Sequence, residues 1–301
     1  MKSEKLFSLL MVLAMFCWAT SFVSAKYLAV YINEHELVTY RYLITTVTML
    51  PVLMVMKVSY KIDIKNLAIA IICAILLVAY TKLFFLGTKI GTASFGGAFI
   101  TTLMPIIVFV IMLIFSKKKP TGRDWLALLI GAVGVSTMLE VWQFDLSEIF
   151  GVATVLFLWA AASWALMSVA TARSKNVSPL LLSFYIYLVA TIFNTVFFYE
   201  NVHGSVFAMD WVFWLNMLLM AVGSTTFAAT VYVAGMQRWG SKCTVYTFLV
   251  PFFVIMLGAI FLGEAIQLST VFGAILTICA LMLINNVSLK DFMRLIKQDI
   301  G

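Results

Sequence analysis

Ten stretches of this chain are apolar over about the length of one bilayer crossing: residues 6–26, 37–56, 67–86, 92–115, 124–139, 148–172, 179–199, 211–236, 243–263 and 269–287. A hydrocarbon core of about 30 Å takes about 20 apolar residues per helix. A membrane β-strand would instead alternate apolar and polar positions over about 10 residues. Runs such as 67–78 are apolar on every face, which points to helices. The pattern therefore predicts an all-α integral membrane protein of ten transmembrane helices joined by short connections, with no room for a sizeable soluble domain.

Composition agrees. The 301 residues are 63% hydrophobic and only 11% charged, with a mean hydropathy of +1.07. A soluble domain carries about a quarter of its residues as charges, so this chain has too little polar surface to face water. The net charge of +7 acquires meaning from its placement. With the N-terminus inside, sixteen of the twenty Lys and Arg residues fall in cytoplasmic segments, clustered at Lys2 and Lys5, 57–65, 117–123, 173–175, 238–242 and 290–297. Lys26 and Lys89 lie on the other side, and Arg41 and Lys82 fall inside spans. That bias predicts a cytoplasmic (inner) membrane protein with both termini cytoplasmic. A juxtamembrane basic fringe also accounts for the charge without a nucleic-acid partner.

Cys17, Cys73, Cys243 and Cys279 sit in apolar stretches without metal-ligand or CxxC spacing, and read as small buried hydrophobes. No metal or cofactor is implied. Lys2 and Lys5, an apolar run and Val23-Ser24-Ala25 have the outline of a cleavable leader. Removing it would leave nine helices and spoil the following symmetry.

Residue n matches residue n + 146 at many positions. Leu10 meets Leu156, Trp18-Ala19 meets Trp164-Ala165, Val23 meets Val169, Thr101 meets Thr247 and Pro105 meets Pro251. Chance matches are common in Leu- and Ala-rich chains, but two Trp-Ala pairs and two mid-helix prolines at one offset point to duplication. The organisation expected is a first five-helix repeat over 1–139, a connection over 140–147, a second repeat over 148–288 and a cytoplasmic tail over 289–301. Five helices per repeat place the halves in opposite senses in the bilayer. Inverted-topology repeats of this kind support alternating access around a midplane site.

Several of these residues resemble a known family. Cys17-Trp-Ala-Thr-Ser-Phe22 is similar to the W-G-S-S-F pattern of the EamA family in the drug/metabolite transporter superfamily. Arg41, Pro105, Pro251 and Phe261-Leu-Gly-Glu264 with Gly273 also match that family's pattern, so the resemblance spans nearly the whole chain. It implies ten helices around a central cavity lined largely by helices 1, 3, 4, 6, 8 and 9, with helices 5 and 10 peripheral. It also implies a transporter of amino acids, metabolites, nucleotide-like cofactors or drugs. Three positions depart from the pattern or break the repeat: Ala19 replaces the usual Gly, Lys118 stands at the repeat counterpart of Glu264, and Tyr187 at that of Arg41.

Ionisable residues inside spans are functional candidates because they are costly there. Arg41 is placed either to snorkel to the outer interface, to grip a substrate carboxylate or phosphate in bidentate fashion, or to pair with Glu34. Lys82, beside Tyr80 and Thr81, is placed to snorkel or to offer the cavity a point charge. Trp18 and Trp164 are candidates for helix packing or for flat cavity walls, with their N–H groups favouring an interior orientation. Thr101 and Tyr246 join the candidate substrate contacts. Pro105 and Pro251 each free a carbonyl one turn earlier, which Thr101, Thr102 or Thr247 could satisfy. Together with Gly96 and Gly97 they mark either a fixed kink or a hinge. Glu264 reads as a turn or cap, and His35 and His203 as outer-loop surface.

No Asp or Glu falls near the middle of a span, which disfavours a proton-coupled exporter of lipophilic cations. P-loop, GxSxG, HExxH and aspartyl-phosphate motifs are absent, so ATP-driven pumping and hydrolysis are not expected. The reading is a secondary transporter, not an enzyme, moving a small anionic or zwitterionic metabolite such as an amino acid or related carboxylate. A nucleotide-like or S-adenosylmethionine-like metabolite is the alternative substrate. From another class, the rivals are an intramembrane lipid-modifying enzyme and a receptor or scaffold. The bilayer and a small metabolite are the expected partners, a proton or counter-substrate is the candidate for coupling, and oligomeric state stays open.

Overall fold

The computed structural model describes residues 2–90, 93–115, 121–138, 140–143, 151–202, 204–262 and 268–285, and every regular element among them is helical. In the first half these are α1 (Lys2–Leu28), α2 (Glu34–Val55), α3 (Ile64–Ile90), α4 (Ala93–Phe115) and α5 (Gly122–Met138). The second half contains α6 (Val152–Ala172), α7 (Pro179–Phe197), α8 (211–239), α9 (Leu249–Leu262) and α10 (Leu268–Asn285). Among the described residues, six helical stretches are long and apolar enough by length and composition to cross a membrane: Glu4–Ala25, Glu34–Val55, Ile64–Gly87, Val152–Ala172, Pro179–Phe197 and Trp211–Val254.

Local chemistry sets several of the boundaries. Asn33 caps α2 by accepting from the amides of His35 and Glu36, while the Glu36 carboxylate accepts from the Asn33 amide at 3.0 Å. This reciprocal box satisfies donors that a helix start otherwise leaves unpaired. Pro179 opens α7, where its missing N–H costs nothing. Asp210 caps α8 through the Phe213 amide.

Two elements differ from the uninterrupted spans expected. Helix α8 begins as an α-helix over Trp211–Leu218, widens to a π-helix over Leu219–Ala229, and returns to α over Thr230–Trp239. Gly240, at φ 61°, then reverses the chain in a left-handed conformation open to glycine. A 3-10 turn over Gly240–Phe248 leads into α9. The Trp211–Val254 stretch therefore holds this reversal rather than one long rod.

Across the halves, helix contacts come in matched sets. Helix α3 and helix α4 pack on α6, and their repeat counterparts α8 and α9 pack on α1. The α2–α8 contact has its counterpart in α7–α3, and α2–α7, α4–α9 and α5–α10 pair with themselves. Exchanging the halves thus reproduces the same neighbours.

The faces of the bundle follow from where helices begin and end. Near the start of α1, the Glu4 and Ser8 side chains meet Arg238 at the end of α8 and Tyr246; this end is the N-terminal face below. Near the start of α6, Phe157 lies beside Phe84 and Gly87 at the far end of α3. Helix α1 presents Leu6, Leu9, Leu13 and Phe16 outward while Met11, Ala14, Met15 and Ala19 are fully buried. An apolar outer face over an apolar core suits lipid rather than water.

Candidate functional site

A cavity lies between the halves, displaced toward the face opposite the N-terminal one. Its volume is about 60 Å³, against roughly 10–15 Å³ for one enclosed water on the same measure. It holds a few waters or a small polar head group. Helix α1 contributes Trp18, Ser21 and Phe22; α3 contributes Tyr80, Thr81 and Phe84; α4 contributes Thr101 and Met104. Trp164 comes from α6, Ser224 from α8 and Thr247 from the turn before α9. Helix α2 also reaches the wall, through Leu37 and Arg41. No wall residue among those described comes from α5 or α10.

Residues related by the repeat touch one another here. Trp18 and Trp164 meet edge-on, with ring centroids 5.2 Å apart and planes at 86°. Tyr80 packs against Trp164 at 4.6 Å and Tyr232 against Trp18 at 5.0 Å, so the floor is an aromatic cluster. The Thr247 hydroxyl approaches the Thr101 carbonyl at 3.3 Å. That carbonyl sits four residues before Pro105, which has no N–H to offer it, and the Thr247 hydrogen facing it is shared with the closer Thr244 carbonyl at 2.7 Å. Pro105 and Pro251 are themselves buried behind the wall.

Arg41 is the charged side chain on the wall among the described residues. Its Nε donates to Thr225 Oγ1 at 2.8 Å and an Nη to Ser224 Oγ at 3.3 Å. No carboxylate among the described residues lies within ion-pair distance of it. A hydrogen bond to a charged group contributes about 1.5–3 kcal/mol, whereas a lone ion removed from water costs several kcal/mol. Two hydroxyls therefore orient the guanidinium without neutralising it.

The other candidates fall elsewhere. Lys82 Nζ stands 3.1 Å above the centre of the Phe198 ring, away from the cavity wall, and has no hydrogen-bond partner among the described residues. Tyr246 belongs to the N-terminal face, where its hydroxyl bonds Ser8 and its ring stacks on Trp239 at 5.7 Å. Gly96 and Gly97 lie in α4, but their surroundings fall outside the described residues, as do Thr102's side chain, His203 and Glu264. Sequence reasoning missed the Ser224–Thr225 pair, because a serine and threonines in an apolar helix look like ordinary tolerated polar residues.

Between the cavity and the N-terminal face the helices close completely. Met11, Met15, Tyr232, Met236, Cys243 and Tyr246 are at most 2% exposed. At the rim, Glu4 pairs with Arg238 and accepts from Trp239 Nε1 at 3.0 Å, and Phe7 meets Trp239 edge-on at 4.9 Å.

A multi-pass helical membrane protein with two exchangeable halves and a polar–aromatic cavity between them is the class that fold and site define. Residues 5–139 and 151–286 each match the EamA-like transporter family. The chain belongs to that family, a membrane transporter group of the drug/metabolite transporter superfamily whose members are transporters rather than enzymes. In fold it is similar to a protein solved by crystallography ("Crystal structure of protein"), with a TM-score of 0.74 over 93% of this chain and 97% of that one. At 15% identity the likeness concerns the fold alone. No curated protein matches the sequence.

Proposed function

We propose that this transporter moves a small solute bearing a carboxylate or comparable anionic group, by alternating access between two inverted five-helix halves. The observation that carries the substrate class is Arg41: a cation on the cavity wall, oriented by neutral hydroxyls and, among the described residues, left without a countercharge. Anionic oxygens fit its forked donors, and the Trp18–Trp164–Tyr80 cluster suits an apolar body. Ten crossings with the N-terminal face cytoplasmic follow from the hydropathy pattern and the basic bias. The matched contact sets, and the opposed starts of α1 and α6, support the inversion. Closure toward the N-terminal face, with the cavity beyond it, is what one of the two access states requires.

Uptake by purified protein in proteoliposomes tests this, using radiolabelled carboxylates beside their neutral amides. The acids should cross faster than the amides. Arg41→Leu should lower acid transport by about 30-fold or more, the scale of removing one partner of a buried charged contact. Equal transport of acids and amides, or no transport above empty liposomes, would sink the reading.

A further inference from the structure

The cavity is symmetric in its tryptophans and threonines but not in its charge. Arg41 has Tyr187 as its repeat counterpart, and Ser224 and Thr225 have Val78 and Ala79. So the cation and both hydroxyls that hold it occur together on the α2–α8 seam. They are missing together from the matching α7–α3 seam. The backbone differs in the same way: α3 is a regular α-helix from Ile64 to Ile90, whereas α8 is π-helical from Leu219 to Ala229.

The π-helix and the hydroxyls are linked by hydrogen bonds. Thr225 Oγ1 donates to the carbonyl of Met220, five residues back, at 2.7 Å, and Thr226 Oγ1 to that of Ala221 at 3.1 Å. In an α-helix a threonine reaches back three or four residues, so the five-residue reach belongs to the widened turn. A hydroxyl has one hydrogen. With it committed to Met220, Thr225 Oγ1 offers only lone pairs to α2, and the donor it faces is Arg41 Nε. The seam continues with Thr45, whose hydroxyl is shared between the Arg41 carbonyl of its own helix at 2.8 Å and the Ala221 carbonyl at 3.0 Å, and with Thr48 against Thr226 at 3.0 Å. π-turns inside α-helices recur at functional sites.

We infer that Thr225 is the positioning residue for Arg41: the π-turn aims its lone pairs at Nε and so holds the guanidinium in place on the cavity wall. This rests on the reading of Arg41 as the anion contact. It also gives the bound solute a direction, anionic end toward α2 and α8, because the positions equivalent to Arg41, Ser224 and Thr225 on the matching seam are Tyr187, Val78 and Ala79, none of them charged.

The test compares purified wild type, Thr225→Val, Thr225→Ser and Arg41→Leu. One readout needs no ligand: the rate at which phenylglyoxal modifies Arg41, followed by site-resolved mass spectrometry with exposed Arg173 as internal reference. The second is quenching of cavity tryptophan fluorescence by benzoate, a flat carboxylate probe, with benzamide as neutral control. Thr225→Val should modify several-fold faster at Arg41 with Arg173 unchanged, and should weaken benzoate binding about tenfold. Thr225→Ser, which keeps the hydroxyl, should restore both. Wild-type reactivity at Arg41 in Thr225→Val overturns the positioning role, as does faster modification that serine fails to reverse. Benzoate binding that survives in Arg41→Leu sinks the anion reading instead, so the two failures are distinct.

Discussion

The two ends of the bundle are built from corresponding residues but packed by different chemistry. At the N-terminal face, Met11, Ala14, Met15 and Tyr246 are buried together with Phe7 packed against them. Their repeat counterparts at the other end are Phe157, Ala160, Ala161, Ile100 and Ala153, and these also form one buried cluster. The first end adds polar and aromatic clasps: Ser8 to Tyr246, Glu4 to Arg238 and Trp239, Phe7 against Trp239. In the second, Ala153 and Ile100 stand where Phe7 and Tyr246 do, so that clasp has no aromatic or phenol counterpart. Duplication thus supplied the same packing twice, and at the N-terminal face Phe7 and Tyr246 add directional contacts that Ala153 and Ile100 cannot make. Hydrogen bonds and ring contacts break over short displacements, whereas an apolar surface can slide. The clasped end is the one closed beneath the cavity.

Cys243 is fully buried under the clasp and reports on it. The largest effect is expected from Gly235→Leu. A Cβ at Gly235 would sit 2.5 Å from Cys243 Sγ and 3.1 Å from Met11 Sδ. Overpacking of this kind costs about 1–3 kcal/mol, and should raise N-ethylmaleimide labelling of Cys243 by about tenfold while lowering the melting temperature. Gly87→Leu is the matched change at the other end, where a Cβ would lie 2.5 Å from the Phe157 ring. It should lower the melting temperature similarly yet leave Cys243 protected. Equal labelling in both variants would mean that the two ends do not close separately.

A smaller effect follows from Tyr246→Phe, which removes the bond to Ser8 and keeps the ring on Trp239. One such bond contributes about 1 kcal/mol, so Cys243 labelling should rise about fivefold. Labelling unchanged from wild type would make that contact incidental. Smaller again is Glu4→Gln. The Glu4–Arg238 pair is exposed, and salt screens such pairs. Wild-type labelling should therefore increase modestly with NaCl, and the variant should lose that dependence; a salt response persisting in Glu4→Gln would assign it to other charges.

The smallest effect concerns the same face outside the clasp. Asp63 accepts from the Asn66 amide, which also donates to the Lys175 carbonyl at 2.9 Å. Asn66's hydrogen bond holds the Asp63 carboxyl below its ordinary value. A depressed carboxyl contributes stability above its unfolded pKa and loses it as pH falls through the folded one. The melting temperatures of wild type and Asp63→Asn should therefore converge between about pH 5 and pH 2, with Cys243 labelling unaffected. A gap that stays constant with pH would detach Asp63 from stability.

Much of the site was legible one residue at a time. Arg41 stood out because a cation in an apolar span is costly, and Trp18, Trp164, Thr101 and Thr247 because one offset related them; all five line the cavity. Lys82 carried the same signal as Arg41 yet lies over Phe198, since spacing along α3 does not tell which neighbour a long side chain finds. Tyr246 lies one residue from Thr247, but the 3-10 turn sends its ring to the N-terminal face. The π-turn in α8 left no mark at all in the apolar pattern.

What the sequence determined by itself is what depends on solvent and on repetition: helices in lipid, their approximate ends, and two related halves. Apolarity and an offset of 146 are readable without coordinates, because transfer to lipid is a sum over residues. Which hydroxyl faces Arg41 and which end is clasped were decided only by tertiary structure. Those are contacts between residues up to 238 positions apart, set by helix rotation and one widened turn, and no local pattern encodes them.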